Sequence, residues 1–388
     1  MDLVSATHIL ILHPSPVPPA TDPSVSVYAL LSKKFSGSLI TTKWRNPQED
    51  RSHETIRLRA STMSRFTYHP VPIPRILRPV KYFYFLLAFV AVALFLHHRR
   101  QKFDVVVTYG PYTTAFAGYL LKLLLGIKFI MDIPGDPFAG HKYSRPQPGT
   151  MARLKIRLGK IIIPFMFKRA DHLKLLYRGQ LQNLINESEM EVSYFADYTA
   201  VSDIRPSVPR EKFLLFVGHP WYLKGVDLLI PAFLEVADRF PGYQLRIVGW
   251  CTNREPFERL AAGDPRVQFS NPLPNEVVKQ WMSQCAAFVL ASRTEGIPRV
   301  LLEAMAAKAP IVASRVGGIP VLLPDEKYGL LFESGNQADL ARALDKMLGD
   351  ASRREQTAEA AYERLQQNYL EEHYLEHYVR MIGSVCGS

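Results

Sequence analysis

Short apolar runs alternate along most of this chain with longer stretches in which apolar residues recur every three to four positions. In the first half, His8–Leu12, Asp104–Thr108, Lys128–Asp132 and Asp171–Tyr177 have the length and composition of buried strands. In the second half, Phe213–Val217, Gln244–Val248, Val267–Phe269, Phe288–Ala291, Ile311–Ala313 and Gly329–Phe332 do the same. Between them the helical period predicts helices over Ser24–Lys34, Thr113–Leu125, Gly179–Ile185, Val226–Phe240, Glu255–Ala262 and Val300–Ala307. Two more are predicted to start at capping asparagines, one from Asn275 to about Ser283 and one from Asn336 through Met347. Arg354–Ile382 predicts one long terminal helix or a pair, with a tyrosine stripe most simply explained by packing. Strand–helix alternation of this kind predicts α/β units with parallel sheets. Leu39–Pro74 is rich in Arg and Pro, and no strand is placed there. Ser202–Glu211 is polar, holds two prolines and lacks periodicity, so it reads as a linker between two α/β halves.

One segment breaks the pattern. Tyr82–Leu96 is fifteen residues without a charge, preceded by Arg75, Arg78 and Lys81 and followed by His97, His98, Arg99, Arg100 and Lys102. Three readings fit it: a buried helix of the first domain, a helix lying in a membrane interface, or a short spanning helix. Met151–Lys168 mixes five cations with Leu and Ile, which fits either a second membrane-facing helix or a basic face over a core stripe. The whole chain carries a formal charge of +11, which points to an anionic partner. No nucleic-acid-binding module accompanies that charge, so a phosphorylated substrate or an anionic lipid surface is the expectation. The three cysteines, Cys251, Cys285 and Cys386, have no metal-like spacing and predict a reducing compartment. The N-terminus lacks a basic lead-in and reads as a first strand rather than a signal peptide.

Candidate chemistry gathers at the ends of predicted strands. Glu295 lies in the loop after Phe288–Ala291, Pro298 opens the next helix, and Glu303 falls on its second turn. Free amides at a helix start, flanked by two carboxylates, suit a ligand carrying both phosphates and hydroxyls. Gly218 relaxes the turn after another strand, and Lys224 would reach back over it as a phosphate-binding cation. In the first half, Asp132-Ile-Pro-Gly-Asp136 lies past a strand end, where open α/β sheets place their sites.

The Lys224-Gly-Val-Asp227 run, the Glu295-Gly-Ile-Pro298 run followed by Glu303, and the Val316-Gly-Gly-Ile-Pro320 turn occur in this order. Together with Gly329–Gly335 they closely resemble glycosyltransferase family 4, the retaining, nucleotide-sugar-dependent enzymes of GT-B architecture. The resemblance is strong from about Phe213 to Leu348, fair over Asp104–Asp136 and poor before residue 100. It implies two Rossmann-like parallel-sheet domains facing across a cleft: an acceptor-side domain over 1–204 and a nucleotide-sugar-binding domain over 205–365. It further implies that a C-terminal helix over 366–388 returns to the first domain. Glu303 would hold the ribose hydroxyls and Glu295 the donor sugar. Gly218, His219, Gly296, Ile297 and Pro298 would line the donor site, and Lys224 would neutralise the leaving diphosphate. Tyr109, Asp132 and Asp136 would stand on the acceptor side. The co-substrate would be a nucleoside-diphosphate sugar, with no metal or other cofactor.

Three positions depart from the family pattern. His219 stands where an arginine usually follows the glycine, so Lys224, a partly charged His219 or Arg299 would carry the phosphate charge. The loop after the first strand, Pro14–Pro23, is rich in proline instead of glycine. No catalytic histidine is assigned in the first half. The expected activity is transfer of a sugar to a lipid-linked or membrane-associated glycan acceptor at the cytoplasmic membrane face. A soluble acceptor, or a non-catalytic nucleotide-sugar-binding protein, is the alternative.

Overall fold

A computed structural model describes residues 7–15, 26–43, 61–63, 65–99, 102–138, 150–199 and 210–387. The chain divides into two compact units, one of Met1–Pro137, Arg157–Phe195 and Tyr374–Ser388, the other of Phe138–Ile156 and Ala196–His373. The predicted linker falls largely outside the described residues, as do parts of the Pro14–Pro23 loop and of Leu39–Pro74.

The first unit holds an eight-stranded sheet in the order β3-β4-β2-β1-β5-β6-β7-β8. Its strands are β1 (His8–His13), β2 (Ser36–Lys43), β3 (Ser61–Met63), β4 (Phe66–Pro72), β5 (Val105–Tyr109), β6 (Lys128–Ile133), β7 (His172–Leu175) and β8 (Val192–Tyr194). All neighbours are parallel except β3, which pairs antiparallel with β4 at the edge. Three of these strands, β2, β3 and β4, lie in the stretch where none was placed. Ser-Gly-Ser-Leu-Ile-Thr-Thr-Lys carries few large apolar residues, yet Ser38 and Thr41 are fully buried between neighbouring strands. Sheet pairing overrides the weak local signal there.

The segment Gly179–Ile185 is a succession of turns instead of a helix. Side chains hold the backbone amides at its start in a turn conformation. Gln180 Oε1 accepts from Leu176 N at 2.7 Å, and Glu187 accepts from Gly179 N at 3.0 Å and Leu181 N at 2.8 Å. The terminal region is a pair of helices, Ala351–Asn368 and Glu371–Cys386. The second of these buries Tyr374, Tyr378, Met381 and Ile382. Phe195 packs on Tyr374 and Phe35 on Tyr378, so the end of the chain completes the first unit's core.

The apolar segment after the first four strands is a helix, Lys81–His98. It buries only a stripe of Phe89, Ala93 and Leu96. Tyr82, Phe83, Leu87 and Phe95 remain 64, 63, 52 and 58% exposed, so this is not a core helix. Leu123 and Leu124 of the neighbouring Thr113–Leu125 helix are exposed as well. The basic helix Thr150–Phe167 buries Ile163, Met166 and Phe167 and exposes Leu158, Ile161 and Phe165.

The second unit holds a six-stranded, wholly parallel sheet in the order β11-β10-β9-β12-β13-β14. These strands are β9 (Glu211–Val217), β10 (Gln244–Val248), β11 (Val267–Ser270), β12 (Cys285–Leu290), β13 (Ile311–Ser314) and β14 (Leu330–Phe332). Strand order reverses between β9 and β12, and such switch points open a crevice at the carboxyl ends of the strands. Every residue of β12 is buried. Right-handed crossover helices, each with one apolar face, cover the sheet. The Asn275–Gln284 helix begins at Asn275 itself, with Pro274 at the cap position and no side-chain cap, because proline's fixed φ already directs the chain into the first turn. Asn336 does cap the Gln337–Gly349 helix, accepting from Asp339 N at 3.0 Å.

Candidate donor site at the β9–β12 switch point

Two loops leave the sheet side by side at this switch point. One follows β9 and carries Gly218, His219 and Lys224; the other follows β12 and carries Ser292, Glu295 and Gly296. They are fastened together in three ways. Arg293 N donates to Leu223 O at 2.9 Å. The Arg293 guanidinium grips Asp227 with both arms, at 2.8 and 2.6 Å, and also donates to Tyr222 O. Gly225 sits in the left-handed region at φ 72°, and a Cβ there would lie 1.9 Å from Ala291 O. Only glycine permits that approach. A third loop joins at Gly317, where a Cβ would lie 2.0 Å from Glu295 O, while Gly318 N donates to Gly296 O at 2.7 Å.

This frame brings the two residues assigned to catalysis into contact. Lys224 Nζ lies 2.6 Å from Glu295 Oε1, with side chains 18 and 8% exposed. Ser292, itself fully buried, donates to the same carboxylate oxygen at 2.6 Å. Ser292 O in turn accepts from Ser314 at 2.7 Å and Ser334 at 3.1 Å, fixing the loop from behind. The carboxylate is thus held by one cation and one hydroxyl.

Ile297 and Pro298 are buried, and Pro298 caps the helix Arg299–Ala306. Glu303 lies on its second turn. Burial pushes its carboxyl above the usual range, opposed by the charges of Arg299 and Lys279. Desolvation therefore dominates, and the site holds an acid whose charge is under-compensated without a ligand. His219 is exposed, its ring edge-on to that of Trp250 at 6.3 Å. Trp250, 57% exposed at the end of β10, was not singled out from the sequence. Its signal was a large aromatic directly after a strand-ending glycine.

The first unit's candidates fall into two environments. Tyr109 ends β5 with its ring 4.6 Å from that of His13, which ends the adjacent β1. Burial holds the His13 imidazole below its usual pKa despite its bond to the Ser15 carbonyl. Asp136 lies in the loop after β6 and, secondarily to burial, raises the Tyr112 and Tyr177 phenols, the latter to about 12. Asp132 is buried, 3.3 Å from Lys174 Nζ, which is 1% exposed. The Lys174 ammonium also lies 5.0 Å from the Phe195 ring centre and 5.9 Å from that of Tyr374.

Residues 199–364 match the family model described as glycosyl transferases group 1. Two curated relatives are similar to parts of this chain. Sulfoquinovosyl transferase SQD2 of Arabidopsis thaliana is 32% identical over 53% of this chain and 39% of its own length. D-inositol 3-phosphate glycosyltransferase of Corynebacterium aurimucosum is 34% identical over 40% of this chain and 39% of its own. The chain thus spans about two fifths of these relatives. Sucrose-phosphate synthase from Thermosynechococcus elongatus shares the fold along the whole length, with a TM-score of 0.74, 18% identity and coverage of 98% of this chain and 99% of that one. Two parallel-sheet α/β units, matched along their whole length by that structure, make the architecture that of GT-B proteins. Lys224, Glu295 and Glu303 all lie within the matched residues 199–364.

Proposed function

We propose that the chain is a retaining glycosyltransferase that moves a sugar from a nucleoside diphosphate to a lipid-linked or membrane-associated acceptor. The observation that carries this reading is the Lys224–Glu295 pair at the switch point of the second unit, within the matched residues 199–364. The relatives' names, both transferases of glycosyl groups, favour the same chemistry. In this reading the donor's diphosphate competes with Glu295 for Lys224. Glu295 then turns to the sugar hydroxyls, and Glu303 accepts from the ribose. Gly218, His219 and the amides near Gly296 and Ile297 line the phosphates. As the glycosidic C–O bond breaks, charge grows on the diphosphate, where a fixed ammonium helps the transition state more than the ground state. The acceptor oxygen bonds to the anomeric carbon from the same face, and its proton passes to a diphosphate oxygen. No step calls on a metal or a further cofactor. A thermal-shift screen with UDP, GDP, ADP and their sugars, followed by product stereochemistry, tests the proposal. Inversion at the anomeric carbon, or nucleotide binding with no turnover on any acceptor, would overturn it.

Glu303→Gln separates binding from stability. An acid raised by burial loses its proton first in the unfolded chain, so stability falls as pH rises from the usual glutamate range through the raised folded value. The amide has no charge to desolvate. Ligand-free Glu303→Gln should therefore melt no lower than wild type at pH 7 and show a flatter dependence of stability on pH above the usual glutamate range. It should lose about tenfold or more in nucleotide affinity, since hydrogen bonds to a charged group contribute about 1.5–3 kcal/mol. Unchanged affinity would remove Glu303 from the ribose site.

The membrane part rests on the exposed apolar residues of Lys81–His98 and the exposed cations Arg75, Arg78, Lys160 and Lys168 on the same unit. These features support a working position at the cytoplasmic membrane face, as a peripheral protein. The protein should co-float with anionic vesicles at low salt and be largely released near 1 M salt, where screening acts within about 3 Å. Failure to bind at low salt counts against a membrane acceptor.

A further inference from the structure

The first unit contains a cavity of about 340 Å³ at the carboxyl end of its sheet, beneath the start of the Lys81–His98 helix. Its size is within the range of small-molecule pockets, about 300–1,000 Å³. The lining includes strand ends: Thr42 near the end of β2, Tyr109 at the end of β5 and the loop residues Pro14 and Ser15 after β1. The walls are aromatic, with Phe85 and Phe89 from the helix and Tyr112 from the turn before Thr113–Leu125.

Three of the hydroxyls in this lining donate to backbone carbonyls. Thr42 Oγ1 donates to Pro14 O at 3.2 Å, Thr114 Oγ1 to Tyr109 O at 2.9 Å, and Tyr112 Oη to Pro137 O at 3.1 Å. With these three engaged and Pro14, Phe85 and Phe89 in the lining, the cavity suits a ligand segment that needs few hydrogen bonds. One lining residue is charged. Lys81, the first residue of the helix, has its ammonium 5.0 Å from the centre of the Tyr82 ring, and the exposed Arg75 and Arg78 lie in the 3-10 turn just before it. A mainly apolar lining with one cation in it matches a hydrocarbon chain ending in an anionic group.

We propose that this cavity binds the hydrocarbon portion of an anionic amphiphile, with Lys81 meeting its phosphate or other anionic head. The proposal deepens the membrane-acceptor reading and rests on it for its biological meaning. It identifies where the lipid part of an acceptor is held in the first unit, next to Tyr109 and His13.

The test uses the full chain in detergent-free solution and a diazirine-bearing dodecyl phosphate below its micelle concentration. Adducts are mapped by peptide mass spectrometry. Saturable labelling is expected within 81–89 and 109–114, suppressed by unlabelled dodecyl phosphate but not by inorganic phosphate. Phe85→Asp, at a half-buried position, should cut labelling at least tenfold while the nucleoside-diphosphate thermal shift persists, which shows the fold intact. Lys81→Glu should weaken dodecyl phosphate at least fivefold and leave dodecanol competition unchanged. Labelling confined to the outward residues Phe83 and Leu87, or competition by inorganic phosphate alone, overturns the proposal. Transfer to a lipid acceptor by a chain whose cavity stays unlabelled overturns the cavity and not the activity. A labelled cavity in a chain that glycosylates only soluble acceptors supports the cavity and refutes the membrane-acceptor reading.

Discussion

Replacing Lys224 by alanine is expected to lower single-turnover sugar transfer by about 10²–10³, the cost of removing one fixed electrostatic partner from a developing oxyanion. Glu295→Gln should fall by a similar factor for a different reason, because it loses both the proposed sugar contact and the carboxylate paired with Lys224. The two effects should not add. The ammonium and carboxylate are 2.6 Å apart, and residues in direct contact are coupled. A complication is built into the site, since Lys224→Ala leaves a carboxylate only 8% exposed without its cation. Ser292 still donates to it, but some stability will be lost. The Lys224→Met/Glu295→Gln double variant removes both charges and should recover most of that stability while remaining inactive. Wild-type transfer in both single variants would sink the assignment of this pair.

The second large effect is expected in the other unit. Lys174→Met should destabilise it by about 3–5 kcal/mol, the typical result of stranding one member of a buried ion pair. Asp132 would then face the phenol of Tyr378, which burial and the Asp132 charge already hold well above its usual pKa. Combining Lys174→Met with Asp132→Leu should restore most of the loss, because the pair itself contributes little once its desolvation is counted. Hydrogen exchange of the β6 and β7 amides is the suitable measure, since it reports on this unit alone. Wild-type protection in Lys174→Met would show that Asp132 is not held by the pair. Asp132 was first a candidate for the acceptor side; its 7% exposure and its partner give it a structural task as well.

What the sequence revealed, and what it hid, follows from how local each signal is. Lys224, Glu295 and Glu303 each sit just past a strand or on the first turns of a helix, so spacing alone brought them forward. The pairing of Lys224 with Glu295 depends on β9 and β12 being neighbours in the sheet, which family order implied and periodicity could not. The strands β2 and β4 were hidden because Ser, Thr, His and Pro occupy much of them, and only burial between partners makes them strands. The Gly179–Ile185 helix was a false positive because Gln180 and Glu187 hold the amides at its start in a turn, a competition invisible to propensity. The Tyr82–Leu96 segment was legible as apolar but ambiguous in role. Its answer lay in which residues face the sheet, and the cavity beneath it needs residues from β1, β2 and β5 that no window of sequence holds together.

The Glu371–Cys386 helix carries a consequence for biogenesis. Tyr374 and Tyr378 close over Phe35, Phe195 and Lys174, yet a ribosome makes them only after the entire second unit. The first unit is begun first and finished last. A nascent chain stalled before residue 374 would display a half-covered core and an uncapped buried charge pair for as long as the intervening residues take to synthesise, at about 5–20 residues per second. In vectorial synthesis the second unit is the one free to fold on its own schedule, and the first is completed only by the arrival of the chain's end.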